Sequence, residues 1–324
     1  MKYNFIVSDL DNLFFFIVNL TEWHFSCRSK YNQIWLKQGG KLTPREKKLL
    51  IQLKKISQKY NFETRKYLGR YVYCCQEQNK FDKLAKVLTP EEFDIITECL
   101  EVFQKRFSKV YNRKLLEKWS KALKSEVVDK NFCQLEKITH NFFNPSKSQK
   151  TLNVHLLFSP STTSLVAGGA NLGSEDITLE VPIFRLEDWL VEYATKVLLH
   201  ELTHIWFNDS KQYQIARKLT KSHLPTKIND FPSFLIIKEV LIGSWVPSGY
   251  PSQIYSNKLN PIKEFLLHNL RGSSELYQLN RRIEYNKLLL YLIWSVYPLT
   301  VDYFHLGKRL DTYYLRQLIN KIKK

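Results

Sequence analysis

Apolar residues recur at i, i+3 and i+4 through most of the first 148 positions. Phe93, Ile96, Leu100, Phe103 and Phe107 line one such face, with Lys and Gln opposite. Two helix starts use the same device: Leu42-Thr43-Pro44-Arg45-Glu46 and Leu88-Thr89-Pro90-Glu91-Glu92. In each, Thr caps, Pro takes the first helical position and Glu folds back as a capping box. The sequences between them do not otherwise align, so shared capping chemistry explains the pair better than a repeat. The texture changes at Asn144-Pro145-Ser146-Lys147-Ser148. Leu152–Phe158 then reads as a strand, and Thr163–Ala167 and Ile177–Val181 as shorter ones around Gly168-Gly169-Ala170-Asn171. From Leu186 to Phe207 the pattern is helical again. A polar linker is expected from Asn208 to Asp230, an apolar helix from Phe231 to Trp245, a turn at Pro247-Ser248-Gly249, and helices thereafter. The expected fold is α+β and predominantly helical, with a helical region over 1–148 and a second region over 149–324.

Composition supports a folded chain. Of 324 residues, 44% are hydrophobic and 14% aromatic, which excludes a disordered or low-complexity protein. Only 10 Gly and 11 Pro argue against a turn-rich β sandwich. Cys27, Cys74, Cys75, Cys99 and Cys133 are odd in number and lack a C-x-x-C spacing, so a disulfide framework is not expected. Asp9 and Asp11 precede the short apolar run Leu13–Val18, which is too brief for a signal core. Leu288 to Tyr297, broken by Ser295, is about half a membrane span. A cytoplasmic protein without a transmembrane segment is the expectation. The net charge of +18 invites nucleic acid or an acidic membrane as partner. Its distribution weakens that idea: residues 1–150 carry +13, 151–210 carry −6, 211–250 carry +4 and 251–324 carry +7. The candidate chemistry lies in the acidic segment.

That segment contains His200-Glu201-Leu202-Thr203-His204. Positions i and i+4 share one helical face, so two imidazoles can converge on one metal ion. Neutral imidazole suits Zn²⁺, with room for a third protein ligand and a water. Glu201 sits beside that face, where a carboxylate can take a proton from metal-bound water. Val197-Leu198-Leu199 and Ile205-Trp206-Phe207 flank the motif without charge. Two His and a Glu buried in such a helix cost several kcal/mol unless paired or metal-bound.

With these uncharged flanks, the segment resembles the zincin superfamily of metallopeptidases. The resemblance is sharp over 195–208 and loose over 151–246. It implies His200 and His204 as zinc ligands, Glu201 as general base, one Zn²⁺ per chain, and a sheet whose edge strand receives an extended peptide. The metzincin branch needs Gly and His where this chain has Phe207 and Ser210. The gluzincin branch takes a Glu from the next helix, which points to Glu239; Asp209 and Glu264 stay open as alternatives. Tyr250 and His223 are candidates for stabilising an oxyanion. His24, His140, His155, His268 and His305 have no ligand-spaced partner and are read as structural. No Walker, Rossmann or G-x-S-x-G pattern occurs, so no nucleotide partner is expected. The leading expectation is a zinc-dependent peptidase acting on a peptide or protein. The alternative is a basic nucleic-acid- or membrane-binding protein on a zincin-like scaffold without proteolytic activity.

Overall fold

The computed structural model describes residues 1–24, 27–60, 67–73, 80–147, 150–160, 167–169, 176–182, 186–247, 249–256 and 277–323, with side chains at 80, 167 and 277–286 left aside. The fold is α+β and mostly helical. Packing divides the chain into two compact units that interleave in sequence. One comprises Met1–Lys124 with Lys150–Glu187, the other Ser125–Gln149 with Asp188–Lys324.

The first unit opens with strand β1 (Lys2–Ile6), which is not among the elements expected in the almost entirely helical N-terminal region. Five residues are too few for alternation to stand out, but Tyr3, Phe5 and Ile6 suit a strand. Helices α1 (Asp9–Leu20), α2 (Ser29–Gly39), α3 (Pro44–Lys59), α4 (Gly69–Val72), α5 (Lys80–Ala85), α6 (Pro90–Phe107) and α7 (Arg113–Glu126) follow. Both anticipated capping boxes form. Thr43 accepts from Glu46 N–H and Thr89 from Glu92 N–H, while each Glu accepts from the Thr backbone. Each cap is worth about 1 kcal/mol.

After strands β2 (Thr151–Ser159), β3 (Ala167–Gly169) and β4 (Asp176–Pro182), the sheet order is β1-β2-β4-β3. β1, β2 and β4 are parallel, and β3 closes the edge antiparallel to β4. The expected strand at Thr163–Ala167 begins among residues outside those described; its last residue opens β3. The sheet thus shares its unit with the N-terminal helices and is completed by the chain's first strand. Beyond Ile6, which pairs with His155, β1 offers β2 no further partner. Asn12 takes over: its amide donates to Leu156 O at 3.0 Å, and its oxygen accepts from Phe158 N–H at 2.8 Å. A side-chain amide here does the work of a peptide group. Phe16, Trp35, Phe107 and Phe158 pack against one another beneath the sheet.

A row of polar side chains crosses the other face of this sheet. Asn4 donates to Asn153, Asn153 to Asp176, and His155 lies 3.4 Å from Asp176 and 2.8 Å from the fully buried Asp11.

In the second unit, helix α8 (Lys130–Phe143) packs on α9 (Asp188–Asp209). The expected linker after Asn208 is largely helix α10 (Lys211–His223), followed by the two-residue strands β5 (Lys227–Ile228) and β6 (Phe231–Pro232). Ala216 and Thr220 give α10 a buried seam, which frequent Lys and Gln masked in the sequence. Then come α11 (Ser233–Gly243), α12 (Tyr250–Ile254), α13 (Tyr277–His305) and α14 (Thr312–Lys323). Trp206, Trp245, Phe142, Phe143 and Tyr314 fill this core. Among the described residues no helix is long and apolar enough to cross a membrane.

Burial opposes charge on His155, but its hydrogen bonds to Asp11 and Asp176 outweigh burial and raise its pKa. A raised folded value means that the charged ring stabilises the sheet fully below the ordinary imidazole pKa of about 6.5. The contribution is lost as pH rises through the folded value. Hydrogen-exchange protection of β1 and β2 amides, corrected for intrinsic rates, should therefore fall with rising pH in that window. In His155→Gln the fall should vanish; a parallel profile in wild type and variant would contradict this assignment.

Candidate metal centre

Helix α9 is buried on nearly every side from Leu190 to Leu199. A helix of this kind is set by its surroundings rather than by one apolar stripe. Along it, Glu192, Lys196, His200 and His204 fall at successive i+4 positions and so share a face. His200 and His204 meet with ring centroids 4.8 Å apart and planes nearly perpendicular. Their Nε2 atoms approach to 3.1 Å.

The third member comes from α11. Its Ile236, Ile237, Val240 and Leu241 are fully buried, and this anchoring turns Glu239 towards α9. One carboxylate oxygen lies 3.5 Å from His200 Nε2 and the other 3.4 Å from His204 Nε2. Ligand atoms of His200, His204 and Glu239 all fall within 4.8 Å of one another. Tetrahedral zinc with bonds of about 2.0–2.1 Å places its ligand atoms about 3.3–3.4 Å apart. The imidazole nitrogens are 3.1 Å apart, and each has its own Glu239 oxygen at 3.4–3.5 Å, so the donor set fits the ion in number and type and lies close to its spacing.

The ring orientation of His200 is fixed by backbone. Its Nδ1–H donates to Val246 O at 2.8 Å. A carbonyl only accepts, so Nδ1 keeps its proton and Nε2 is the atom turned to Glu239 and His204, a donor to the carboxylate when protonated and a lone pair when a cation takes that proton's place. The buried Nδ1 of His204 has no hydrogen-bond partner among the described residues.

The electrostatics favour positive charge at the meeting point. Burial opposes protonation of His200, yet its hydrogen bond to Glu239 and the charges of Glu201 and Glu239 raise its pKa to about 9. Burial likewise opposes ionisation of Glu239, but the two imidazoles hold its carboxyl well below the usual range. Glu201 moves the other way: burial raises its pKa, with His204 and His200 pulling against it. Glu201 contributes no ligand atom to the cluster.

No protein-family model matches the chain, and no curated protein and no solved structure matches it. The site therefore rests on its own geometry.

Of the other candidates, Asp209 is spent elsewhere: its carboxylate accepts from Lys147 N–H at 2.6 Å at the end of α9. Glu264 and His268 lie outside the described residues. Tyr250 bonds through its hydroxyl to His305 at 2.8 Å, and His223 is exposed at the end of α10. His140 packs edge-on against Trp206. Two features escaped the sequence. One is the Val246 carbonyl, since backbone acceptors leave no residue-type signal. The other is the buried pair Lys196–Glu192 at 2.6 Å, joined by Ser256, whose hydroxyl donates to Glu192 at 2.7 Å. Its i, i+4 spacing upstream of His200 was a readable signal.

The turn carrying Val246 is tightly held. Trp245 stacks on Phe142 at 3.9 Å, and the Tyr314 hydroxyl bridges Ser244 and Thr300 at 3.3 and 2.8 Å. A Cβ on Gly249 would lie 1.9 Å from Ser244 O, so any side chain there must displace this turn. Gly249→Ala should draw Val246 O away from His200 and weaken zinc affinity about 10- to 100-fold, the usual range for lost ligand orientation. Competition against a calibrated chelator measures this. Unchanged affinity in a folded variant would show that Val246 does not orient the ligand.

Proposed function

We propose that the protein is a zinc-dependent peptidase whose ion is held by His200, His204 and Glu239. The observation that carries this reading is the convergence of three ligand atoms from two helices within 4.8 Å. When bound, zinc supplies Lewis-acid polarisation of a carbonyl and acidifies a water molecule. The remaining chemistry belongs to the chain. Glu201 lies beside the ligand face of α9 and is not consumed as a ligand, so its carboxylate is available to take a proton from water and pass it to the leaving amine. The Val246 carbonyl keeps His200 in the tautomer a cation requires. Peptide as substrate extends the same proposal from the zincin resemblance of residues 195–208, and a cytoplasmic setting extends it from the odd number and spacing of the cysteines.

Protein purified with zinc should carry about one ion per chain. His200→Ala, His204→Ala and Glu239→Ala should each lose it, and Asp209→Ala should keep it. Glu201→Gln should retain the metal while hydrolysis of a peptide library falls about 100- to 10,000-fold, the usual worth of a positioned base. Elemental analysis alongside circular dichroism checks the first set. Folded, metal-free protein after zinc-replete purification would refute the assignment.

A further inference from the structure

The basic excess is not uniformly neutralised. In the first unit, basic α3 packs against acidic α6, and the two exchange ion pairs: Arg45–Glu98, Lys59–Glu92 and the buried Glu46–Arg106. In the second unit, α10 packs against α14, and neither helix contains a single Asp or Glu. Lys211, Arg217, Lys218 and Lys221 on α10, and Arg316, Lys321 and Lys323 on α14, are all exposed. None of the seven forms an ion pair among the described residues. The acids bordering these helices are already engaged: Asp209 accepts from Lys147 N–H, and Asp311 caps α14 through Tyr314 N–H while accepting from the Tyr303 hydroxyl. Two like-charged helices packed side by side repel one another, which is the signature of a surface shaped for a polyanion.

The accompanying side chains select among polyanions. Exposed Gln214 and Asn320 stand between the cations as neutral donors to phosphate and sugar oxygens. Tyr313, 60% exposed, precedes Arg316 by one turn and offers a free ring face. It is the sole large hydrophobic residue exposed on either helix, so nothing here inserts into a bilayer as interfacial helices do. Cations repeat about 5–6 Å apart along a helix face, so one strand can be held at several phosphates together. We propose that the joint face of α10 and α14 binds single-stranded nucleic acid, with the cations on its phosphates and Tyr313 stacked on a base. This surface is independent of the metal centre.

The test uses the full chain and a labelled mixed-sequence RNA 20-mer, read by fluorescence anisotropy between about 50 and 200 mM salt. Affinity should fall log-linearly with salt, by about 0.7 in slope for each phosphate engaged. The triple variant Lys218→Gln/Lys221→Gln/Arg316→Gln should bind at least about tenfold more weakly, with the slope reduced by about 2. A charge-matched control in the first unit, Lys114→Gln/Lys118→Gln/Lys121→Gln, should bind as wild type does. Tyr313→Ala should weaken binding about tenfold. The proposal is overturned if wild type fails to bind at about 100 mM salt, or if both triple variants lose affinity equally. It is also overturned if a duplex of the same sequence, or phosphatidylserine vesicles, bind more tightly than the strand.

Discussion

Two imidazole nitrogens 3.1 Å apart cannot both face each other with bare lone pairs. Something positive has to lie between or beside them, either a proton or a metal ion. The hydrogen bond from His200 Nδ1 to Val246 O removes the option of turning the ring or switching its tautomer. Glu239 then brings a carboxylate to the same point, its two oxygens nearly equidistant from the two rings. Without a cation these groups hold a proton: the pKa of His200 is raised to about 9. With zinc, the two nitrogens and a Glu239 oxygen would serve as its three protein ligands.

The rest of the second unit serves this convergence. Helix α11 supplies Glu239 from its middle, and the turn after its C-terminus supplies the Val246 carbonyl. Helix α11 and its following turn therefore carry both Glu239 and the carbonyl that orients His200. Aromatic stacking of Trp245 on Phe142 and the hydroxyl bridge through Tyr314 hold that turn in place. The buried stripe of α9 continues upstream through Lys196 and Glu192, which satisfy each other inside the core. The sheet of the first unit carries its own polar row around His155.

Much of this was legible in the sequence wherever a local rule governs. Thr43 and Thr89 declared their helices because capping chemistry lies within four consecutive residues. Leu152–Phe158 and Ile177–Val181 declared β2 and β4 through β-branched and aromatic runs. His200, Glu201 and His204 were readable because their geometry follows from helical spacing alone. Glu239 was reachable from its place in an apolar helix, helped by the zincin resemblance. What escaped depends on partners distant in sequence. β1 is a strand because β2 lies beside it, and α10 is a helix because Ala216 and Thr220 find a core. His155 looked isolated because Asp11 and Asp176 come from far along the chain.

The central claim concerns which atoms surround the ion, and zinc K-edge X-ray absorption on the purified protein reads them directly. Zinc held by His200, His204 and Glu239 predicts a first shell of nitrogen and oxygen alone at about 2.0–2.1 Å. Multiple scattering from two imidazoles should be present. A sulfur shell at about 2.3 Å, or scattering from fewer than two imidazoles, would place the ion elsewhere and contradict the site.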